Sequence, residues 1–314
     1  MRRLLLVFVL LVAVSIGANA QQDARYTQYM FNKLVFNPGY AGTGEGLSLS
    51  GLARIQWVNI DGAPTSFSLS GHTPLGQGKK VGVGAFLEHD RIGVHQETSL
   101  FLNYAYKLML GERNILSLGV NGGLSYLTSD FQSLADTEII QLSADPSFQT
   151  NVSKILPNFG VGAYFYQPNK YYLGLSAPFL LTNNLESVSR IAHQYRHYYL
   201  TGGMVVPMGS SLKLKPSFLV KAVPGNAPIQ FDANLMFLIK EALWLGLSYR
   251  IDDQINSESL DFIASFQMKN GLRIGYAYDL TLSELSNYTS GSHEIMLGYD
   301  VRGKSKRIIT PRYF

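Results

Sequence analysis

Six histidines are the first place to look for chemistry in this chain: His72, His89, His95, His193, His197 and His293. His193 and His197 are four apart, a spacing that suits a metal on a helix. They fall in a loop entering a strand-like stretch, however, where four residues rise about 13 Å. No metal site is expected from them. A serine hydrolase needs a nucleophile, a base and a positioned orienter, and no spacing of Ser and His here singles out a pair. H-E-x-x-H, G-x-S-x-G and the phosphate-cradling P-loop are all missing. With 0 Cys there are no disulfides and no thiolate ligands. The reading is a protein without catalytic residues, cofactor or metal. Its net charge is +4, and about +2 without Arg2 and Arg3, too weak to recruit nucleic acid.

The charged residues are more informative, because they recur in stretches that alternate apolar and polar side chains. Alternation is the signature of a strand, whose side chains point to opposite faces in turn. In "PIQFDANLMFLI", Ile229, Phe231, Ala233, Leu235, Phe237 and Ile239 share one face, and Gln230, Asp232, Asn234, Met236 and Leu238 share the other. "ALWLGLSYR" sets Leu243, Leu245, Leu247 and Tyr249 against Trp244, Gly246, Ser248 and Arg250. "LRIGYAYD" and "HEIMLGYD" behave alike, as do Leu47–Trp57, Val81–Glu88, Leu100–Leu108 and Leu116–Tyr126. The same parity places Lys213, Lys215, Lys221, Asp232, Arg250, Asp261, Arg273, Asp279 and Glu294 on one face, while the earlier stretches offer mostly Ser, Gly and Asn there. Mixed signs in a closed interior suggest pairing, since unpaired buried charge is costly. The bland reading is a solvated pore wall. The sharper one is a cross-strand network on one wall that grips something inside.

About fourteen such stretches, mostly about ten residues long, suit tilted strands that cross a bilayer. They centre near residues 52, 69, 84, 103, 120, 161, 174, 201, 217, 234, 247, 264, 275 and 296. A soluble β-sandwich also alternates, but it has no reason to sort its loops by length. Here the even-numbered connections are short: "PLGQGKK", "LGER", "QPNK", "PMGSS", "KEA" and "KNG". The odd-numbered ones vary, and Ser129–Lys154, Leu181–His193 and Leu280–Ser292 are long. That pattern, with 19 Tyr, 17 Phe, 30 Gly and only 15% charged residues, predicts an all-β, closed, antiparallel transmembrane barrel of about 14 strands. Short turns would face the periplasm and longer loops the exterior of a Gram-negative outer membrane. An even strand count puts both termini on the periplasmic side.

Both ends of the chain fall outside this pattern. Arg2 and Arg3, the apolar run Leu4–Ile16 and Ala18-Asn19-Ala20 form a secretory signal peptide over 1–20. The run is too short for a membrane anchor, which needs about 20 residues. The segment 21–46 precedes a barrel domain at 47–301, and a basic tail occupies 302–314. Within 21–46, "YTQYMFNKLVFNPGYAG" does not alternate. Tyr26, Tyr29, Met30 and Lys33-Leu34 have helix-like spacing, and Asn37-Pro38-Gly39 stops any helix. So aromatic a run, including Phe31 and Tyr40, must be buried, either as a plug inside the barrel or against a periplasmic partner. The tail carries Arg302, Lys304, Lys306, Arg307 and Arg312 with no acidic residue among them. It is either a solvated strip beside anionic lipid headgroups or an arm for an acidic partner.

Tyr26–Gly42 resembles the opening signature of the PorP/SprF family of Bacteroidota. "PNFGVGAYFY" with "YYLGLSAPFL" resembles its middle, and "HEIMLGYDV" with the final "PRYF" resembles its end. The likeness runs from Ala24 to Phe314, and the N-terminal signature is its most specific part. The resemblance implies a component of the type IX secretion and gliding machinery, supporting export or surface anchoring of large secreted proteins such as adhesins. It implies partners beyond the outer-membrane lipid: periplasmic ring and lipoprotein subunits, and the sorting domain of a cargo. The rival reading is a channel for hydrophobic or small polar solutes; an outer-membrane hydrolase is the least supported class.

Overall fold

The computed structural model describes residues 25–131, 151–184, 193–224 and 227–301. The signal sequence and the basic tail lie outside these residues. Fourteen strands form the wall: β1 Ser48–Ile55, β2 Thr65–Leu75, β3 Val81–Ile92, β4 His95–Leu110, β5 Asn114–Ser129, β6 Val152–Gln167, β7 Tyr171–Ala177, β8 Tyr198–Met204, β9 Leu212–Val223, β10 Ala227–Ile239, β11 Leu243–Asp252, β12 Ser257–Gln267, β13 Leu272–Thr281 and β14 Ser292–Asp300. Each pairs antiparallel with the next, and β1 pairs with β14 from Ser48↔Asp300 to Ile55↔His293. The sheet is therefore closed. All fourteen sequence centres fall inside strands. No described helix is long and apolar enough to cross a membrane; the strands do the crossing.

Exposure follows the two-residue period. On β4, Leu100 and Leu102 are 54% and 65% exposed, while Phe101 between them is fully buried. Leu245, Leu247 and Tyr249 of β11 face outward, and Trp244, Ser248 and Arg250 face the interior. Apolar outside and polar within is the reverse of a soluble protein. It is what hydrocarbon outside and a shielded lumen require, and closure spares the lipid any unpaired backbone edge.

The connections 76–80, 111–113, 168–170, 205–211, 240–242 and 268–271 lie at one rim. The other rim holds the longer 56–64, 130–151, 178–197 and 282–291, together with the short 93–94, 224–226 and 253–256. Loop length is thus sorted less cleanly than a strict parity rule would have it. Strands β4, β5 and β6 have 16 residues each, more than a bilayer crossing needs, whereas β7 and β8 have 7. Beyond Ala177 the chain leaves the wall. Pro178 and Phe179 are buried on consecutive positions, and the Phe179 ring packs edge-on against Phe101 at 5.3 Å. Pro157 sits where β6 has no ladder partner on its β7 side, so its missing N–H leaves no gap in the ladder.

Because Leu247 lies in the middle of β11 and points into lipid, Leu247→Arg should destabilise the inserted barrel by about 2–4 kcal/mol. Reversible denaturant unfolding in lipid vesicles measures this, and a loss below about 1 kcal/mol would contradict a lipid-facing position near the bilayer centre.

Candidate functional site: an occupied lumen

Residues 25–42 run inside the barrel. They form a 3₁₀ turn at Tyr29–Phe31, a single helical turn α1 at Lys33–Phe36 and a second 3₁₀ turn at Pro38–Tyr40. Such short turns send side chains in every direction, and that suits a segment surrounded by wall on all sides. From Tyr26 to Ala41 every residue except Phe31 is buried, and Phe31 is half-buried. Asn37 ends α1 in an extended conformation. Its Oδ1 accepts from Gly39 N–H at 2.8 Å, and its amide donates to the Ala163 carbonyl of β6 at 3.0 Å.

A charged anchor holds the upper part of the segment. Glu294 accepts the backbone N–H groups of Thr27 and Gln28, each at 2.8 Å. The Thr27 hydroxyl donates to Asp279 at 2.7 Å and accepts from Arg54 at 2.9 Å. Arg54 also pairs with Asp279 at 2.6 Å and with Glu294 at 3.4 Å. Two carboxylates share one guanidinium, and their remaining lone pairs take up donors that the segment could not otherwise satisfy inside a closed wall. Beside this group Arg250 pairs with Asp232 at 2.5 Å, and Arg25 pairs with Glu258, which also accepts from Gln230 at 3.1 Å.

Neutral contacts hold the middle. The Asn32 amide donates to Ser68, and Ser70 donates back to it, at 2.8 and 2.6 Å. Ser176 donates to the Phe36 carbonyl at 2.7 Å. The Tyr26 hydroxyl donates to Glu88 at 3.1 Å. The Tyr26 and Tyr29 side chains are buried. Aromatic rings fill the remaining volume: Phe31 against Trp244, Phe36 against Tyr199, and Tyr40 against Tyr164 and His72. The Lys33 ammonium lies 4.1 Å from the Tyr172 ring centre.

The lower part is held by close backbone approach. A Cβ at Gly119 would strike the Pro38 and Gly39 backbone, and one at Gly162 would strike Asn37. Gly42 has φ +67 and lies against Gly82; its N–H donates to His72 Nδ1 at 3.0 Å and Lys107 donates to its carbonyl. The glycines of the early strands thus make room for the segment.

Of the charges singled out by parity, Lys215, Lys221, Asp232, Arg250, Asp261, Asp279 and Glu294 are buried and face inward. Lys213 lies at the short-turn rim, paired with Glu241. Arg273 is half-buried, accepted by Gln267 at 2.8 Å and set 4.7 Å over the Phe31 ring. Sequence reading passed over Arg54, although its parity with Ser50 and Leu52 marks it as inward. It also missed Glu258, which a bulge between Arg250 and Ile251 takes out of simple alternation. His197 stacks on Tyr199, and the His193 side chain lies outside the described residues. Among the described residues no group of three His, Cys, Asp or Glu is placed to hold a metal.

The barrel itself begins and ends at the short-turn rim, where Val301 N–H donates to the Leu47 carbonyl at 2.8 Å. Arg25 reaches Glu258 beside the 253–256 connection, at the opposite rim. The first and last described residues therefore lie at opposite rims, and the two termini themselves lie outside the described residues. Two cavities beside the lumen segment have volumes of about 40 and 20 Å³, each large enough for water.

A closed fourteen-stranded wall with apolar exterior and a filled polar interior defines an outer-membrane-type β-barrel. The chain belongs to the family described as type IX secretion system membrane protein PorP/SprF, whose model matches residues 18–299. Membership implies interaction with components of that secretion system, and neither this family nor porin-like barrels are a class of enzymes. Among solved structures, the chain is similar to the toluene transporter TodX of P. putida, at 10% identity over 87% of this chain and 94% of that one, with a TM-score of 0.50. The toluene transporter TbuX of Ralstonia pickettii aligns at 11% identity over 85% and 92%, TM-score 0.49. A FadL homologue of Pseudomonas aeruginosa aligns at 10% over 92% and 97%, TM-score 0.47. Identities this low speak to the fold alone. A comparison with curated proteins gave no match.

Two substitutions separate the anchors. Glu294→Ala strands two buried amides and removes half of the Arg54 pairing, a loss of about 3–5 kcal/mol for a broken buried pair. Gly119→Val places side-chain atoms in the path of Pro38 and Gly39. Both should render Lys33 cleavable by trypsin in the purified barrel, whereas the wild-type segment should resist. Equal resistance in both variants would show that neither contact holds the segment.

Proposed function

We propose that this barrel is a non-enzymatic component of the type IX secretion and gliding machinery that supports the export or surface anchoring of large secreted proteins, adhesins among them. Family membership gives the system. The observation that carries the mode of action is the filled lumen: a pore packed with its own chain, anchored by buried charge pairs, is a poor conduit for solutes. The protein then acts through its two faces.

The long-loop rim, proposed to face outward, is the side offered to a cargo sorting domain. The short-turn rim carries a basic excess over Glu112 and Glu241. Lys79, Lys80, Arg113, Lys170, Lys240 and Lys269 are all exposed on its turns, and the chain leaves β14 there toward Arg302, Lys304, Lys306, Arg307 and Arg312. This supports docking of an acidic periplasmic partner, such as a ring or lipoprotein subunit, by exposed charge pairs of about 0.2–1 kcal/mol each. Such association should weaken with salt, since exposed charges are screened over about 8–10 Å at ordinary ionic strength.

Removing the gene should leave other outer-membrane barrels intact and reduce surface display of one or more large secreted proteins, which should co-purify with the barrel from detergent extracts. Normal display in a strain lacking other members of the family would leave the anchoring role without support. The channel reading meets a separate measurement. In a planar bilayer the intact protein should conduct little, and deletion of Tyr26–Gly42 should open it. A large, stable conductance from the intact chain would favour solute transport instead.

A further inference from the structure

Ile255, in the connection between β11 and β12, stands in a conformation that its side chain disfavours. Its φ is +63, in the left-handed region that glycine and asparagine enter readily and a β-branched residue does not. The turn around it is firmly made. The Asp252 carboxylate accepts the N–H groups of Gln254 and Asn256 at 3.0 and 2.8 Å, and the Asn256 side-chain amide at 2.9 Å. Ile255 N–H donates to the Asp252 carbonyl at 3.1 Å, and Asp252 N–H donates to the Asn256 carbonyl at 3.2 Å. None of these bonds uses the Ile255 side chain, so glycine or asparagine at 255 would close the same turn without the strain. The isoleucine gains little within the barrel in return, for it is 82% exposed. Strain kept at an exposed apolar side chain points to a use outside the chain.

The neighbouring connection supplies more of the same surface. Tyr288 is 72% exposed, and Leu282 and Leu285 are exposed with it. Leu282 N–H donates to the Glu258 carbonyl at the start of β12, at 2.9 Å. Val58 N–H donates to the Gly291 carbonyl at 2.9 Å, and Ser290 N–H donates to the Val58 carbonyl at 3.1 Å. Backbone hydrogen bonds thus join 253–256, 282–291 and 56–64 into one platform on the long-loop rim, preformed rather than ordered on contact. Its charged residues are Asp61, Asp253 and Glu284, all exposed, and the three connections hold no Lys, Arg or His. Exposed Arg91 lies beyond them on β3. Such a surface is unsuited to lipid, because anionic headgroups repel carboxylates as they attract lysines. A protein surface that is apolar at its centre and basic at its edge complements both features.

We propose that this platform is a docking site for a protein partner whose apolar contact surface, edged by lysine or arginine, receives Ile255 and Tyr288. The inference rests on the anchoring role proposed above and gives the chemistry of that contact: the partner is the secreted protein held at this rim.

The test places photoreactive p-benzoylphenylalanine at position 288 in cells, alone, with Ile255→Asn, or with Asp253→Lys and Glu284→Lys together, and identifies adducts by mass spectrometry. The expected result is a protein adduct whose linked residue lies among apolar side chains flanked by Lys or Arg, its yield falling about tenfold in either combination. An adduct of unchanged yield in both combinations, or adducts with lipid alone, would overturn the proposal. In the purified barrel Ile255→Asn should resist denaturant at least as well as the wild type. A lowered midpoint would show that Ile255 serves the barrel's own packing, and the proposal would fall. Surface display separates this site from the anchoring role. If deleting the gene reduces display and the Ile255→Asn and charge-reversal variants do not, the anchoring role stands and the docking site is rejected. If deletion leaves display normal, the anchoring role fails, and the charge-dependent protein adduct alone decides the site.

Discussion

The pairing of β1 with β14 is the constraint on which the rest depends. In hydrocarbon, an unpaired strand edge leaves a row of backbone groups without partners, each at a cost of several kcal/mol. The register from Ser48↔Asp300 to Ile55↔His293 removes that edge. Closure has a second consequence. It creates an interior that lipid cannot fill and that the wall must furnish with polar side chains, because alternation sends the apolar ones outward.

The interior is divided in two by composition. From β10 round to β1 the wall carries Asp232, Arg250, Asp261, Asp279, Glu294 and Arg54. From β2 to β6 it carries mostly Ser66, Ser68, Ser70, Asn103, Ser117, Asn121 and several glycines, with Lys107 and Glu88 the charges that reach the segment there. The N-terminal segment fits that division. Its buried backbone amides at Thr27 and Gln28 meet the Glu294 carboxylate, and its turn at Asn37–Gly39 meets Gly119 and Gly162. Neither half would be stable alone. The carboxylates need donors, and a lumen of small residues needs filling.

A barrel so filled presents two chemically different faces. The short-turn face carries more exposed basic than acidic side chains on its turns. The long-loop face carries Arg25 paired with Glu258, and the longest connections.

By itself the sequence determined the wall. A two-residue period between two different media is a local property, so each strand could be found from its own residues, and the inward parity of Asp232, Arg250, Asp279 and Glu294 followed with it. Arg54 was legible in the same way. The aromatic run Tyr26–Gly42 announced by composition that it must be buried. Where it is buried was decided only by tertiary structure. Arg25 meets Glu258 across 233 positions of chain, and Thr27 meets Glu294 across 267, distances over which no periodicity carries information. Glu258 turns inward because a bulge breaks the alternation, and Phe179 because the chain leaves the wall after β7. The route of the segment from one rim to the other exists only once the wall has closed around it, since a lumen, and therefore its two ends, is a property of the closed sheet and of no strand within it.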